Sequence, residues 1–174
     1  MSCHIRTRPT ALIISEGKVL LIEYQDKEQL HYNLPGGGAE PGEAITESLR
    51  RELLEEASIE INIGPVAFVY EYFPNKQSGD YESSVHGLHI IFDCEIKEGF
   101  TPKLPDHPDS CQVGVKWIAI EELESVILYP NIKKHIKEYS KSRRNIDLIE
   151  DHQLESYKQI DYELTKEEFS PEKE

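Results

Sequence analysis

Leu34 to Ile61 reads LPGGGAEPGEAITESLRRELLEEASIEI, three consecutive glycines followed by a helical pattern that puts carboxylates at Glu52, Glu55 and Glu56 within about one turn. Like charges so close repel on an isolated helix, so the folded chain must offset them. At about 100° per residue, Ile45, Leu49 and Leu53 share one arc with Ala57 at its edge, and this arc is expected to face a sheet. Glu52 and Glu56 flank that arc and Glu55 lies a little further round. Glu43, Glu47 and Arg50 occupy the far side with Leu54 among them. Carboxylates bordering an apolar stripe raise one another's pKa or demand a cation. Hard oxygen ligands suit Mg²⁺ or Mn²⁺, and Mg²⁺ is usually held by few carboxylates plus water and phosphate oxygens. Glycines just upstream allow backbone groups to approach a ligand closely. Arg51, four residues before Glu55, is spaced to orient a carboxylate.

The remaining chain supplies a sheet. Ile5 to Ser15 and VLLIEY, separated by the turn signal EGK at Glu16 to Lys18, predict a hairpin. HYNLP gives a short extended segment into the glycines, and the helix is predicted from about Gly42 to Ala57. IEINIG, PVAFVYEYF, HGLHIIFDCEI and GVKWIAI are rich in β-branched and aromatic residues and predict further strands. Polar loops run from Pro74 to Ser84 and from Gly99 to Ser110. EELESVI predicts a short helix and NIKKHIKEYSK a longer one, with Pro130 before it and Asn131 as its cap. One helix embedded among hairpins makes the class α+β, a sheet covered by helices.

At 174 residues the chain holds one full domain plus extensions. The expected division is a domain over 1–140 and an acidic C-terminal extension over 141–174. From Asn145 onward there are ten acidic residues and three lysines, a net of −7 out of −14 for the whole chain. Ile146, Ile149, Tyr157, Ile160 and Leu164 give this extension an imperfect apolar stripe, so an extra helix or a solvated tail are both open readings. No apolar run approaches the roughly 20 residues of a membrane helix, and a cytoplasmic location is expected. Cys3, Cys94 and Cys111 are odd in number and widely spaced, which suggests reduced thiols. The acidic balance argues against binding polymeric nucleic acid, but small phosphorylated ligands remain compatible with it through a metal ion.

The acidic stretch resembles the Nudix box of the MutT-like pyrophosphohydrolases: glycine, five residues, Glu, seven residues, Arg-Glu, an aliphatic residue, any residue, Glu-Glu, any residue, glycine, an aliphatic residue. Gly37, Glu43, Arg51, Glu52, Leu53, Glu55, Glu56 and Ile59 fall in register, and Ser58 stands where the pattern prefers glycine. The resemblance implies the Nudix fold, an α/β/α sandwich with a mixed sheet flanked by helices. It also implies metal-assisted hydrolysis of a nucleoside diphosphate linked to another group. Glu52 and Glu56 would be metal ligands, and Glu55 would bind a further ion or orient the attacking water. A carbonyl of Gly36 or Gly37 would complete the shell, while Arg51 and Glu43 would brace loop and helix. Gly36, Gly37 and Gly38 would lie against substrate.

Tyr32, Tyr70, Tyr72 and Phe73 are candidates for stacking on a nucleobase or for packing in the sheet. An acid outside the box serves as base in many relatives, and Glu71, Glu82, Asp106 and Asp109 are candidates here. His86 and His89, read on one strand, lack a third zinc ligand. A nucleoside triphosphate or oxidised deoxynucleoside triphosphate is the expected substrate. ADP-ribose or a nucleotide sugar is the close alternative, to which Pro74 is a weak pointer, and a non-catalytic nucleotide-binding module is a reading of another class. A homodimer is open.

Overall fold

The computed structural model describes residues 4–26, 29–76, 83–144, 149–150 and 154–155. Arg6–Ser15 (β1) and Lys18–Gln25 (β2) form the predicted hairpin, with Glu16 and Gly17 both at positive φ (50° and 75°), as a two-residue primed turn requires. The two strands share only the register pairs Ile14↔Val19 and Ser15↔Lys18 before they diverge. β1 then runs parallel to Gly87–Ile96 (β5) from Arg6↔Gly87 to Ile13↔Cys94, and β5 pairs antiparallel with Ile61–Tyr72 (β4). β2 pairs with Leu30–Asn33 (β3) and Gln112–Ala119 (β6), while β3 carries the short Leu128–Tyr129 (β7). Among the described residues the result is an eight-stranded mixed sheet that splays apart beyond the β1–β2 turn.

Both faces of the central strands are covered, which explains why β1 is buried continuously from Pro9 to Ile13 and β2 from Val19 to Ile22. Consecutive residues go to opposite sides. Ala11, Ile13, Leu20 and Ile22 join Leu49, Leu53 and Ala57 of the helix Ile45–Ala57 (α1). Leu12, Val19 and Leu21 join Phe68, Ile91, Leu123, Ile136 and Tyr139 on the other side, where the helix Lys133–Ser142 (α2) and the 3-10 helix Ile120–Ser125 pack. This is the expected helix–sheet–helix layering. Burying Leu49 and Leu53 completely contributes about 1.5–3 kcal/mol each, enough to hold a 13-residue helix that would be marginal alone.

Several sequence expectations shift. α1 begins at Ile45, after the Pro41–Gly42 turn. Ala44 precedes the first turn without a side-chain cap, and the Glu47 carboxylate instead accepts the Ala44 N–H at 2.8 Å. IEINIG and PVAFVYEYF form one strand, β4, with register irregularities between Ile63 and Val66 and between Val66 and Phe68. These bulges accommodate Gly64 and Pro65. Asn131 does not cap α2, which starts after Ile132; its side-chain amide donates to the Glu155 carbonyl at 3.1 Å. Of the C-terminal extension, Ile149–Glu150 (β8) is a strand and not a helix, pairing parallel with Tyr70 and Glu71 of β4. Leu154 packs on the α2-side core and Glu155 pairs with Lys134. Ile146, Tyr157, Ile160 and Leu164 lie outside the described residues.

Ser58, where glycine was preferred, ends α1 in the left-handed region at φ 55° and ψ 36°, with its N–H on Leu54 O and that of Ile59 on Leu53 O. A residue with a Cβ costs about 1–2 kcal/mol there, while glycine gives back part of the difference in unfolded-chain entropy. Ser58→Gly is therefore expected to raise the unfolding free energy by about 0.5–1 kcal/mol in urea titrations. A loss of stability would show that the Ser58 side chain contributes more than its backbone costs.

Candidate functional site

The glycine segment is held as an extension of the sheet. The Ala11 N–H donates to Pro35 O at 2.8 Å, Thr10 bridges Gly36, and the Ala39 N–H donates to Thr7 O at 3.0 Å. Pressed against β1, Gly36 has no room for a side chain: a Cβ would fall 2.4 Å from Pro9 O, and its φ of 143° disfavours one in any case. A Cβ on Gly37 would fall 2.1–2.2 Å from the Glu52 carboxylate, so the absence of a side chain there makes the seat for Glu52.

Glu56 is the most enclosed acid of the site at 6% exposure. The Gly36 N–H donates to its Oε2 at 2.7 Å and the Tyr24 hydroxyl to its Oε1 at 2.9 Å, while the Gln112 amide donates to its backbone carbonyl at 2.7 Å. Burial pushes the Glu56 carboxyl up to about 7, with the neighbouring charge of Glu52 adding to the effect and the two donors opposing it. Burial also raises Glu52, against the pull of Arg51. Burial and the Glu56 charge move the Tyr24 phenol upward, which keeps it a hydrogen-bond donor.

Arg51 distributes its guanidinium over the rim. It donates to both carboxylate oxygens of Glu43 at 3.0 Å, to Glu52 Oε1 at 2.9 Å, to Glu55 Oε2 at 3.1 Å and to Gly38 O at 3.3 Å. Arg51 and then Ser48 hold the Glu43 carboxyl down at about 2. Glu55 stands out at 56% side-chain exposure. Among the described residues no three acidic, imidazole or thiol groups converge into a ready metal cage. Glu52 and Glu56 nevertheless share the glycine seat, with Glu55 tethered to the same arginine.

On the other side of the glycine segment lies an open cleft of about 210 Å³. The Arg8 guanidinium donates to Gly36 O at 3.2 Å, while Arg6 lies over Gly38, where a Cβ would meet its Nε and Nη2 at 3.0 Å. Tyr70 and His89 form the floor with ring centroids 5.1 Å apart, and Tyr72 and Tyr129 add walls. Burial, then the charges of Arg8 and Arg6, lower the His89 pKa to about 3, so its ring is neutral. The buried Asn33 Oδ1, also at the cleft, has no hydrogen-bond partner among the described residues.

Tyr32 is not in this cleft. It is 7% exposed in the core, with its hydroxyl donating to Glu23 at 2.7 Å. Phe73 is exposed beside His86, at 5.3 Å between ring centroids. His86 precedes β5 and sits 2.8 Å from a Glu71 oxygen, whereas His89 is three residues on and projects to the opposite face, so the two imidazoles do not share a cavity. Glu71 alternates with Tyr70 and Tyr72 on β4 and faces away from the cleft. Asp106 and Asp109 are exposed. Asp109 adjoins the site through Gln112, whose N–H donates to Asp109 O at 3.0 Å. Glu82 lies outside the described residues. Sequence reading missed Arg6, Arg8, Asn33, Tyr24 and Gln112. The one usable signal was the alternation of Arg6 and Arg8 on a predicted strand, which puts both on one face.

Residues 5–141 match the NUDIX domain model. The nucleoside triphosphatase NudI of Escherichia coli O1:K1 / APEC is 33% identical over 95 residues, covering 51% of this chain and 67% of that protein. A NUDIX hydrolase from Nitrosomonas europaea superposes with a TM-score of 0.63 at 23% identity, covering 82% of this chain and 93% of that one. An ADP-ribose pyrophosphatase from Streptococcus suis 89-1591 superposes with a TM-score of 0.58 at 19% identity, covering 84% and 99%. At those identities the two structures speak for the fold alone. With the domain matched over most of its length, and with the box glutamates folded against their glycine segment, the chain belongs to the Nudix family of pyrophosphohydrolases.

Proposed function

We propose that the protein hydrolyses nucleoside triphosphates with Mg²⁺, Mn²⁺ being a substitute, by water attack on a phosphorus of the phosphate chain. The observation that carries this reading is the enclosure of Glu56 beside Glu52 at a seat no side chain can enter. Two carboxylates whose pKa values are raised by burial are best satisfied by a cation. A site with few acidic ligands leaves coordination positions for water and phosphate oxygens. Glu52 and Glu56 would hold the ion, with a carbonyl of Gly36 or Gly37 beside them. When bound, the ion neutralises phosphate oxygens and activates the attacking water.

The chain's own residues then divide the work. Tyr24 and the Gly36 N–H fix the two oxygens of Glu56. Arg51 holds Glu52 and Glu55 in mutual register, so that exposed Glu55 can orient the water or take a further ion. The kinship with NudI favours a triphosphate over the ADP-ribose of the more distant structural neighbour. A panel of ribo- and deoxynucleoside triphosphates, oxidised forms, ADP-ribose and nucleotide sugars, assayed with Mg²⁺ or Mn²⁺, is expected to give highest kcat/KM on a triphosphate. Nucleotide binding without release of phosphate-containing products from any member would make the protein a binding module.

Glu56→Gln should reduce turnover by at least about a hundredfold, in the range of losing a main electrostatic element. Its stability follows the opposite course. The folded-state pKa of Glu56 is raised to about 7, so the buried charge disfavours folding above that pH and the penalty vanishes below the ordinary carboxylate range. In metal-free buffer at pH 8 the variant is therefore expected to melt no lower than the wild type. A lower melting temperature together with lost activity would point to a structural role only. Gly37→Ala should displace Glu52 and weaken Mn²⁺ binding, read by electron paramagnetic resonance, while circular dichroism stays unchanged. Unaltered Mn²⁺ binding would remove Glu52 from the ligand set.

A further inference from the structure

The last four carbonyls of an α-helix have no partner within the helix and must be met from outside it. At the end of α1, Leu53 O and Leu54 O accept from the Ile59 and Ser58 N–H groups as the chain turns back. Ala57 O and Glu56 O are met instead by the segment that joins β5 to β6. The Lys103 N–H donates to Ala57 O at 3.1 Å, and the Gln112 side-chain amide donates to Glu56 O at 2.7 Å. Gln112 is buried, and its amide is aimed by contacts of its own. Its Oε1 accepts the Asp109 N–H at 3.3 Å, and its main-chain N–H donates to Asp109 O at 3.0 Å. Between them Cys111 sits at a φ of 69°, a left-handed conformation disfavoured for a residue with a Cβ. Such a turn persists only where its surroundings hold it, and the Cys111 carbonyl accepts the Gln25 N–H of β2 at 2.8 Å.

Glu56 is therefore gripped at three atoms from three directions: Oε2 by the glycine segment, Oε1 by Tyr24 of β2, and the main-chain carbonyl by Gln112 of β6. The first two contacts orient the carboxylate. The third anchors the main chain from which it springs. Tyr24 and Gln112 are register partners at the point where β2 and β6 slip. A bulge re-aims side chains beside a site, and this one sends both toward a single glutamate. An amide can do this where an ionised carboxylate could not, because only a donor meets a carbonyl.

We propose that Gln112 is a positioning residue for metal binding: held by the Asp109–Gln112 turn, it fixes the main chain of Glu56 and so the place at which the carboxylate is offered to a cation. The inference rests on the reading of Glu56 as a ligand of the hydrolytic ion. Gln112 acts through Glu56, with both ends of its own amide engaged. Mg²⁺ demands near-ideal octahedral geometry, so small displacements of a ligand weaken it. Removing a hydrogen-bond partner of a metal ligand typically weakens affinity by about 10–100-fold. The segment between β5 and β6 thereby tunes the affinity for the ion.

Mn²⁺ titration followed by electron paramagnetic resonance, on the full chain without nucleotide, tests this. Gln112→Leu keeps the bulk and removes the donor. Gln112→Met, closer in length, runs beside it so that a packing defect peculiar to leucine does not decide the result. Both are expected to bind Mn²⁺ about tenfold more weakly and to raise the Mg²⁺ concentration for half-maximal turnover by a similar factor. Tyr24→Phe removes the other side-chain donor to Glu56. Combined with Gln112→Leu, it is expected to lose less than the product of the single losses, since both act on one carboxylate. Ile136→Val opens a cavity in the core on the other side of the sheet, so it lowers stability while its Mn²⁺ affinity equals that of the wild type. Three results would overturn the positioning role: wild-type affinity in both Gln112 variants, strictly multiplicative losses in the double variant, or losses that track melting temperature across all variants, Ile136→Val included. Glu56→Gln separates this inference from the reading beneath it. Loss of Mn²⁺ there with none in the Gln112 variants overturns the positioning role alone, whereas unchanged Mn²⁺ binding by Glu56→Gln removes the ligand reading and the inference with it.

Discussion

The interaction on which the site depends is the pairing of the glycine segment with the edge of β1. Hydrogen bonds from Ala11 to Pro35 and from Ala39 to Thr7 fix the backbone of residues 35–39 as a quasi-strand. Gly36 then has both of its polar groups committed in different directions, the N–H to Glu56 and the carbonyl to Arg8. A Glu56 carboxylate at 6% exposure is unfavourable without donors aimed at it, and two of the three groups that hold Glu56 come from outside its own helix and loop. Tyr24 reaches it from β2 and Gln112 reaches its carbonyl from β6. These strands are adjacent, with Tyr24 paired to Gln112 at a register shift. The geometry of an acidic helix is thus set by strand register some distance away in sequence.

This explains what was legible in the chain and what was not. Helical periodicity and the spacing of the acids are local properties, so the buried arc of Leu49, Leu53 and Ala57 and the positions of Glu52, Glu55 and Glu56 around it could be read from Leu34 to Ile61. Arg6 and Arg8 enter only through the parallel pairing of β1 with β5, which places Arg8 beside His89 and Arg6 beside Gly87. No local pattern announces that register. Gly64 and Pro65 read as a strand break because their chemistry usually makes one, but a bulge absorbs them within β4. Asn131 has the chemistry of a helix cap, yet tertiary contact with Glu155 engages its side chain instead.

The far face of the sheet stabilises the same elements. Asp93 on β5 accepts from the Tyr139 hydroxyl at 2.9 Å and from Arg143 at 2.7 and 2.8 Å, tying the end of α2 to the strand that carries His89. β8 adds main-chain pairing beside Tyr70, so part of the acidic extension braces the cleft wall from its outer edge. Such an edge would otherwise present unpaired strand groups to solvent.

The electrostatic problem for a chain of net charge −14 is how to receive an anionic substrate. The long-range field repels it, so the favourable field has to be local. The glycine segment separates two groups of charges of opposite sign. On one side, under the proposed function, the clustered carboxylates would become attractive on binding a divalent cation, and Arg51 holds Glu52 and Glu55 together. On the other, Arg8 donates to Gly36 O and Arg6 lies over Gly38, so two guanidiniums border the same backbone. The linkage between them is the single residue Gly36, where even one methyl group would collide with β1.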